Sequence, residues 1–310
     1  MLKYIGKRLL QIIPVFLLIT LLVFSMLSVV PGNVAQSIAG ANASVEQIKA
    51  IEEQLGLDRP FFIRYLSYMK DAIRGDFGIS WTTAKSVSRE FFARLPYSLL
   101  LTFLAVGFTV IIGVPLGVIS AAKQYQIIDK VTLVTSMIFA CVPAFWLALL
   151  AQVLFSVQLG WLPSGGTDSW KSYIMPSFCL GASSLGALVR LTRASMLDVL
   201  GQDYIRTAMA KGGTKTHVIV RHALRNALLP VITAIGSTIT VLLSGAIIIE
   251  TVFSIGGIGS MLIGAVRARD VPMVMGPVIF LSLFICVVNL IVNVIYTFVD
   301  PRVRQRFAGR

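Results

Sequence analysis

The sequence is poor in charge: 13% of its 310 residues are Asp, Glu, Lys or Arg, about half the share of an average soluble domain. Hydrophobic residues make up 56% and the mean hydropathy is +0.83, so lipid must solvate most of the surface. Histidine is rarer still, with His217 and His222 the whole supply. They stand five apart in a basic surround that repels a cation, and no metal site is expected there. The three cysteines, Cys141, Cys179 and Cys286, all fall inside apolar runs. No pair has metal-ligand spacing and no disulfide framework is implied, so they read as small core residues.

Catalytic motifs are missing as well. The one Gly-Lys pair, Gly6-Lys7, is followed by Arg8. Without a phosphate loop the chain is not expected to bind or hydrolyse ATP itself. Neither H-E-x-x-H nor G-x-S-x-G occurs, so no catalytic residue is assigned. No apolar run carries a carboxylate or arginine near its middle, which counts against an ion-coupled transporter working alone.

What is present is a set of apolar runs. Six are long enough to cross a bilayer, near 9–30, 97–121, 131–157, 173–192, 228–249 and 275–299. Length alone would allow about two soluble domains, but these runs call for one all-α polytopic membrane protein with six transmembrane helices. An even number of spans puts both termini on one side. The termini, with the second and fourth connections, hold 16 basic and four acidic residues, against 11 and 10 on the other side. Positive-inside bias therefore places both termini in the cytoplasm. The net charge of +13 is a topology signal, and no nucleic-acid partner is expected.

In chain order, residues 1–30 read as a cytoplasmic start and transmembrane helix 1. The run is too long for a cleaved signal peptide and no A-x-A-like site follows it; Pro31-Gly32-Asn33 should end the helix. Residues 31–96 form a small extracytoplasmic helical segment. Ile48, Ile51 and Leu55, then Phe61, Tyr65, Met69 and Ile73, keep helical spacing on either side of a Gly56…Pro60 break,. Two amphipathic helices packed on the bundle, or a docking surface for an external partner, both fit. Residues 97–299 hold helices 2–6, and 300–310 are a cytoplasmic tail. Gly113 and Gly117 lie four apart around Pro115, which suits close helix packing or a gating hinge. The small residues from Leu180 to Ala187 suit tight packing or a cavity wall. Asn289 and Asn293 share one face of the sixth span, as interhelical glue or as pathway lining.

One stretch cannot lie in lipid. Residues 203–230 are basic and Gly-punctuated, and they hold both histidines. Leu197–Ala210 can be helical, Gly212-Gly213 breaks the helix, and Thr214 or Thr216 can cap a second one, roughly His217–Ala227. Apolar Ile205, Ala208, Met209, Val218 and Val220 sit among the charges. A solvated connecting loop has no need of them, whereas a surface docking into a groove on another protein does.

Here the residues carry a resemblance. Asp203-Tyr204-Ile205-Arg206-Thr207-Ala208-Met209-Ala210-Lys211-Gly212, followed by Arg221-His222-Ala223-Leu224-Arg225-Asn226-Ala227-Leu228-Leu229-Pro230, resembles the EAA-type coupling motif of ABC importer permeases. The match is to the dipeptide/oligopeptide/nickel subfamily. Arg206-Thr207-Ala208 stands where the general motif has Glu-Ala-Ala, and Gly212 is its glycine. Agreement runs along nearly the whole chain: Lys7-Arg8-Leu9-Leu10, Pro31-Gly32, Leu55-Gly56-Leu57-Asp58-Arg59-Pro60, Gly75-Asp76-Phe77-Gly78, Leu159-Gly160-Trp161-Leu162-Pro163, Glu250-Thr251-Val252-Phe253, Arg269-Asp270-Val271-Pro272 and Asp300-Pro301-Arg302. Gly256-Gly257 departs from the Pro-Gly frequent in the family.

The resemblance implies a type I ABC importer-like fold with a permease core at 97–299 and a cytoplasmic coupling segment at 197–227. It implies residence in a bacterial or archaeal cytoplasmic (inner) membrane. The implied partners are a homologous second permease subunit, two cytoplasmic ABC ATPase subunits that bind ATP and Mg, and an extracytoplasmic substrate-binding protein. This chain would bind no cofactor. Asp203, Tyr204, Arg206, Thr207, Ala208, Lys211, Gly212, Thr214 and His217 would receive the ATPase stroke. The substrate would be di- or oligopeptides or glutathione, with nickel or a metal chelate as the alternative. A stand-alone channel or secondary transporter is the alternative from another class.

Overall fold

The computed structural model describes residues 2–29, 34–40 and 43–299. The helix stop expected at Pro31-Gly32-Asn33 and the tail 300–310 lie outside the described residues, as do the side chains of Lys3, Lys7, Arg8 and Asn293. The architecture is all-α; the pairing of Ile79 with Ser86 is an isolated antiparallel bridge. In order come α1 (Leu2–Val29), α2 (Val34–Ala39), α3 (Val45–Gln54), α4 (Phe61–Ile73), α5 (Val87–Ala122), α6 (Ile127–Cys141) and α7 (Ala144–Ala151). There follow α8 (Ile174–Leu200), α9 (Asp203–Ala210), α10 (Lys215–His217), α11 (Leu224–Val252), α12 (Ile258–Arg267) and α13 (Val271–Val299).

Among the described residues, four stretches are long and apolar enough to cross a membrane: Val87–Ala122, Trp170–Leu200, Lys215–Val252 and Val271–Val292. The first expected span falls on α1, whose apolar part is Ile13–Val29. The third differs from the straight helix expected over 131–157: α6 and α7 meet at 98°. Proline disfavours helical backbone in the residue before it. Val142 is accordingly extended (ψ 125°), and Pro143 is the N-cap of α7.

The chain groups into two compact units, Met1–Pro96 with Gly257–Val287 and Tyr97–Gly256 with Val288–Arg310. In the first, α3 begins at a capping box in which Ser44 and Gln47 bond each other's backbone N–H, so two orphan donors are satisfied. Gly56 takes φ +65° and turns the chain toward α4, where a side chain would be strained. Tyr65 packs on Phe24 of α1 with ring centroids 5.6 Å apart, and its hydroxyl lies 2.9 Å from Thr20 Oγ1. Phe91 stacks on Phe280 at 4.5 Å. Asp270, 1% exposed, accepts from Ser80 Oγ (2.5 Å), Thr82 Oγ1 (2.9 Å) and Thr82 N–H (3.2 Å) through one oxygen. Its other oxygen caps α13 at Met273 N–H.

In the second unit α8 is the central helix, and the small residues expected to give tight packing or a cavity wall give packing. A Cβ on Gly181 would strike Ala105 O and Thr109 Oγ1, and one on Gly186 would strike Ser136 O. Gly113 faces Leu185 and Leu188, and Gly117 faces Thr192 and Val189 O, so both glycines admit α8 against α5. The latter helix runs unbroken past Pro115. Asn289 accepts from Thr240 Oγ1 on α11 at 3.3 Å, a bond between two helices. Glu250, beyond the expected end of the fifth span, lies inside α11, 1% exposed, and accepts from Ser98 Oγ at 2.5 Å.

Candidate functional site: the segment between α8 and α11

The expected helix Leu197–Ala210 is two helices. α8 ends at Leu200, and α9 starts at Asp203 after Gln202 in extended conformation. Gly201 and Gln202 are the local signal for that break: a C-terminal glycine and a polar residue ahead of an acidic first turn. The second expected helix, His217–Ala227, is part of a longer one. Thr214 accepts from His217 N–H and caps α10. That turn continues through a π-helical stretch, Val218–Ala223, into α11 without a break. Pro230 lies within α11, so it does not stop the helix. The connection is thus one short helix, one glycine turn, and the opening of the next span.

The turn explains the glycine pair. Gly212 takes φ +85° with open space around its Cβ position, so its need is conformational. Gly213 has a negative φ, and a Cβ there would come within 2.9 Å of Ala208 O and of Val218 Cγ2. Its need is room.

The apolar residues divide in a way the sequence did not show. Ile205 (1% exposed) and Val218 are buried in a small core with Met196, Ile219, Ala223, Ala227 and Ala121. They are therefore not part of an outward docking face, because they anchor the segment to the ends of α5 and α8. Ala208 is half-buried, while Met209 and Val220 are exposed. Burying a side chain of this size stabilises by about 1.5–3 kcal/mol, so Ile205 acts as the peg that seats α9.

Around that peg the polar residues point outward. Asp203, Tyr204, Arg206, Thr207, Lys211, Gly212, Thr214 and His217 are all exposed. Arg206 stands 4.0 Å from Asp203 in a solvated pair of little energetic consequence. Asn226 Nδ2 donates to Tyr204 Oη at 2.8 Å, tying α9 to the start of α11. The rings of His217 and His222 lie 5.8 Å apart. Eight of the nine expected coupling residues are therefore exposed, and the ninth, Ala208, is half-buried. Gly113, Gly117 and Asn289 lie elsewhere, in helix–helix contacts, and Pro115 lies exposed on α5.

A polar knot missed by the sequence reading sits at the roots of this segment. Asp129 of α6, 2% exposed, binds Arg193 of α8, and it also accepts from Ser120 Oγ of α5 and Tyr125 N–H. Both are among the charges counted in the second and fourth connections, and a spacing of 64 residues gives no hint that they pair.

The fold class is shown by solved structures. One protein chain of an inward-facing MetNI methionine ABC transporter superposes with TM-score 0.57 at 19% identity, over 68% of this chain and 96% of that one. A chain of an amino acid ABC transporter gives 0.52 at 18%, over 69% and 94%. The sequence then places the molecule within that class. Residues 113–305 match the binding-protein-dependent transport system inner membrane component family, and residues 1–102 match its N-terminal region. The chain belongs to this family and is a multi-pass permease subunit of an ABC importer. It is 39% identical over 306 residues to the Glutathione transport system permease protein GsiC of Escherichia coli (strain K12), covering 99% of this chain and 100% of that one. The same values hold for the protein of that name in Shigella dysenteriae serotype 1 (strain Sd197). Membership implies work alongside ATPase subunits, a substrate-binding protein and a second permease.

Proposed function

We propose that this permease forms half of a translocation path for di- or oligopeptides or glutathione, fed by an extracytoplasmic binding protein. Two separate cytoplasmic ATPase subunits, which bind the ATP and Mg, drive it, and the chain has no ATPase site of its own. The observation that carries the coupling role is the seating of α9. A rigid apolar peg at Ile205 holds an exposed polar face that ends in a left-handed glycine. Such a face transmits displacement to α8 and α11 instead of absorbing it. The charge imbalance puts this face and both termini in the cytoplasm. Residues 31–96 then lie outside, 97–299 are the permease core, and 300–310 are a cytoplasmic tail. The GsiC relatives favour glutathione or peptides over nickel or a metal chelate.

The assembled importer in liposomes tests this reading. Arg206→Glu and Gly212→Trp should lower substrate uptake per ATP hydrolysed about 10-fold or more, with the complex still assembled. Unchanged uptake in both variants would exclude α9 as the coupling element. Uptake by the purified chain alone would instead establish a stand-alone transporter.

A further inference from the structure

On the first unit, α4 presents Arg64, Ser67, Tyr68 and Asp71 at the i, i+3, i+4, i+7 spacing of one helix face. With Arg59 and Trp81 they line a cavity of about 220 Å³, walled on its apolar side by Phe24 and Pro272. Pockets for drug-sized ligands run to roughly 300–1,000 Å³, so this one fits a smaller group.

Its polar lining is lopsided. Arg59, Arg64, Tyr68 and Trp81 are donors, and none of their side chains has a hydrogen-bonded or ionic partner among the described residues. The Tyr68 hydroxyl is enclosed and unpartnered. The Arg64 guanidinium is held 5.7 Å from the Phe24 ring centroid, which fixes it without neutralising it. Burial pulls Arg64 below the ordinary guanidinium range. Burial first, and the charge of Asp76 second, pushes the Tyr68 hydroxyl up. An enclosed donor left unpaired costs about 1–3 kcal/mol, which a ligand acceptor would recover. Asp71, the one acid of the lining, supplies a partner for a cation on the same ligand.

We propose that this cavity binds the free carboxylate of a small peptide, with Arg64 and Tyr68 donating to its oxygens. The planar guanidinium matches a carboxylate through two parallel bonds. Phosphate would bring negative charge toward Asp71 with no ammonium to offset it. The ligand class rests on the peptide reading above, while the contact rests on the cavity alone.

Calorimetric titration of the purified full-length chain in lipid nanodiscs tests the site, with glycylglycine, glycylglycinamide and inorganic phosphate as probes. Glycylglycine should bind saturably and the amide at least about 10-fold more weakly. Arg64→Gln should weaken glycylglycine about 10- to 100-fold, the span expected for hydrogen bonds to a charged group. Tyr68→Phe should weaken it severalfold with an unchanged thermal midpoint, because the hydroxyl has no internal partner to lose. The site is refuted by absent saturation, by equal binding of acid and amide, by phosphate binding as tightly as the peptide, or by variants that bind like the parent. Loss of coupling in Arg206→Glu is measured on the assembled importer, so failure of the cavity and failure of the transport reading are told apart.

Discussion

Arg193 grips Asp129 with both ends of its guanidinium fork, Nε and Nη2 each lying 2.7 Å from a separate carboxylate oxygen. Ser120 Oγ and Tyr125 N–H take further acceptor positions at 2.5 and 2.9 Å. Three helices, α5, α6 and α8, are therefore tied at one buried carboxylate, close in the chain to where α8 leads into α9.

Breaking that tie from one side leaves an uncompensated charge, fully buried where Asp129 remains and half-buried where Arg193 does. Arg193→Ala, which strands buried Asp129, should lose about 3–5 kcal/mol,, and Asp129→Ala, which strands half-buried Arg193, should lose less, both read as a lowered thermal midpoint in detergent. The double variant should lose less than the two single losses added together, since no orphan charge remains. Single variants that melt with the parent would refute the assignment.

Glycines that look alike in sequence should behave differently. Gly117→Ala drives a Cβ into Thr192 and Val189 O, at a cost of about 1–3 kcal/mol. Gly107 of the same helix has nothing within 4 Å of its Cβ position, so Gly107→Ala should stay within about 0.5 kcal/mol of the parent. Equal melting of the two variants would mean that α5 and α8 do not approach as described.

The glycine turn gives a second contrast. At Gly212 the constraint is φ +85° in open space, so Gly212→Asn should retain more coupled ATPase activity than Gly212→Val, because Asn tolerates left-handed backbone and a β-branched residue does not. At Gly213 the constraint is the Ala208 carbonyl, and there even Ala should reduce coupling. Retention of full coupling by Gly212→Val would show that this turn carries no load.

Asp270 holds residues 80–82 to the start of α13. Asp270→Ala strands the Ser80 and Thr82 donors at about 1–3 kcal/mol. Limited proteolysis should then cut the 79–86 loop several-fold faster. An unchanged cleavage rate would show that the loop is held by other contacts.

Much of this was legible in the residues. Helix existence, the α3–α4 pair and the cap at Thr214 follow from local rules that act over a few residues. Boundaries were less so: α10 runs on into α11 through a π-helical stretch, and Pro143 bends the third span because a proline acts on its neighbour's backbone. The pairings of Asp129 with Arg193 and of Asp270 with Ser80 link residues 64 and 190 positions apart, beyond any spacing rule.

The sequence alone therefore determined the class of molecule and its solvation by lipid, and it singled out the basic segment at 203–230. Those properties are sums over residues and do not depend on which residues meet. The tertiary structure decided which side of each residue was used. Ile205 and Val218 turned inward to seat the basic segment, and Arg206 and Lys211 stayed exposed on its surface. Burial is settled by what packs opposite, and only the folded chain supplies that.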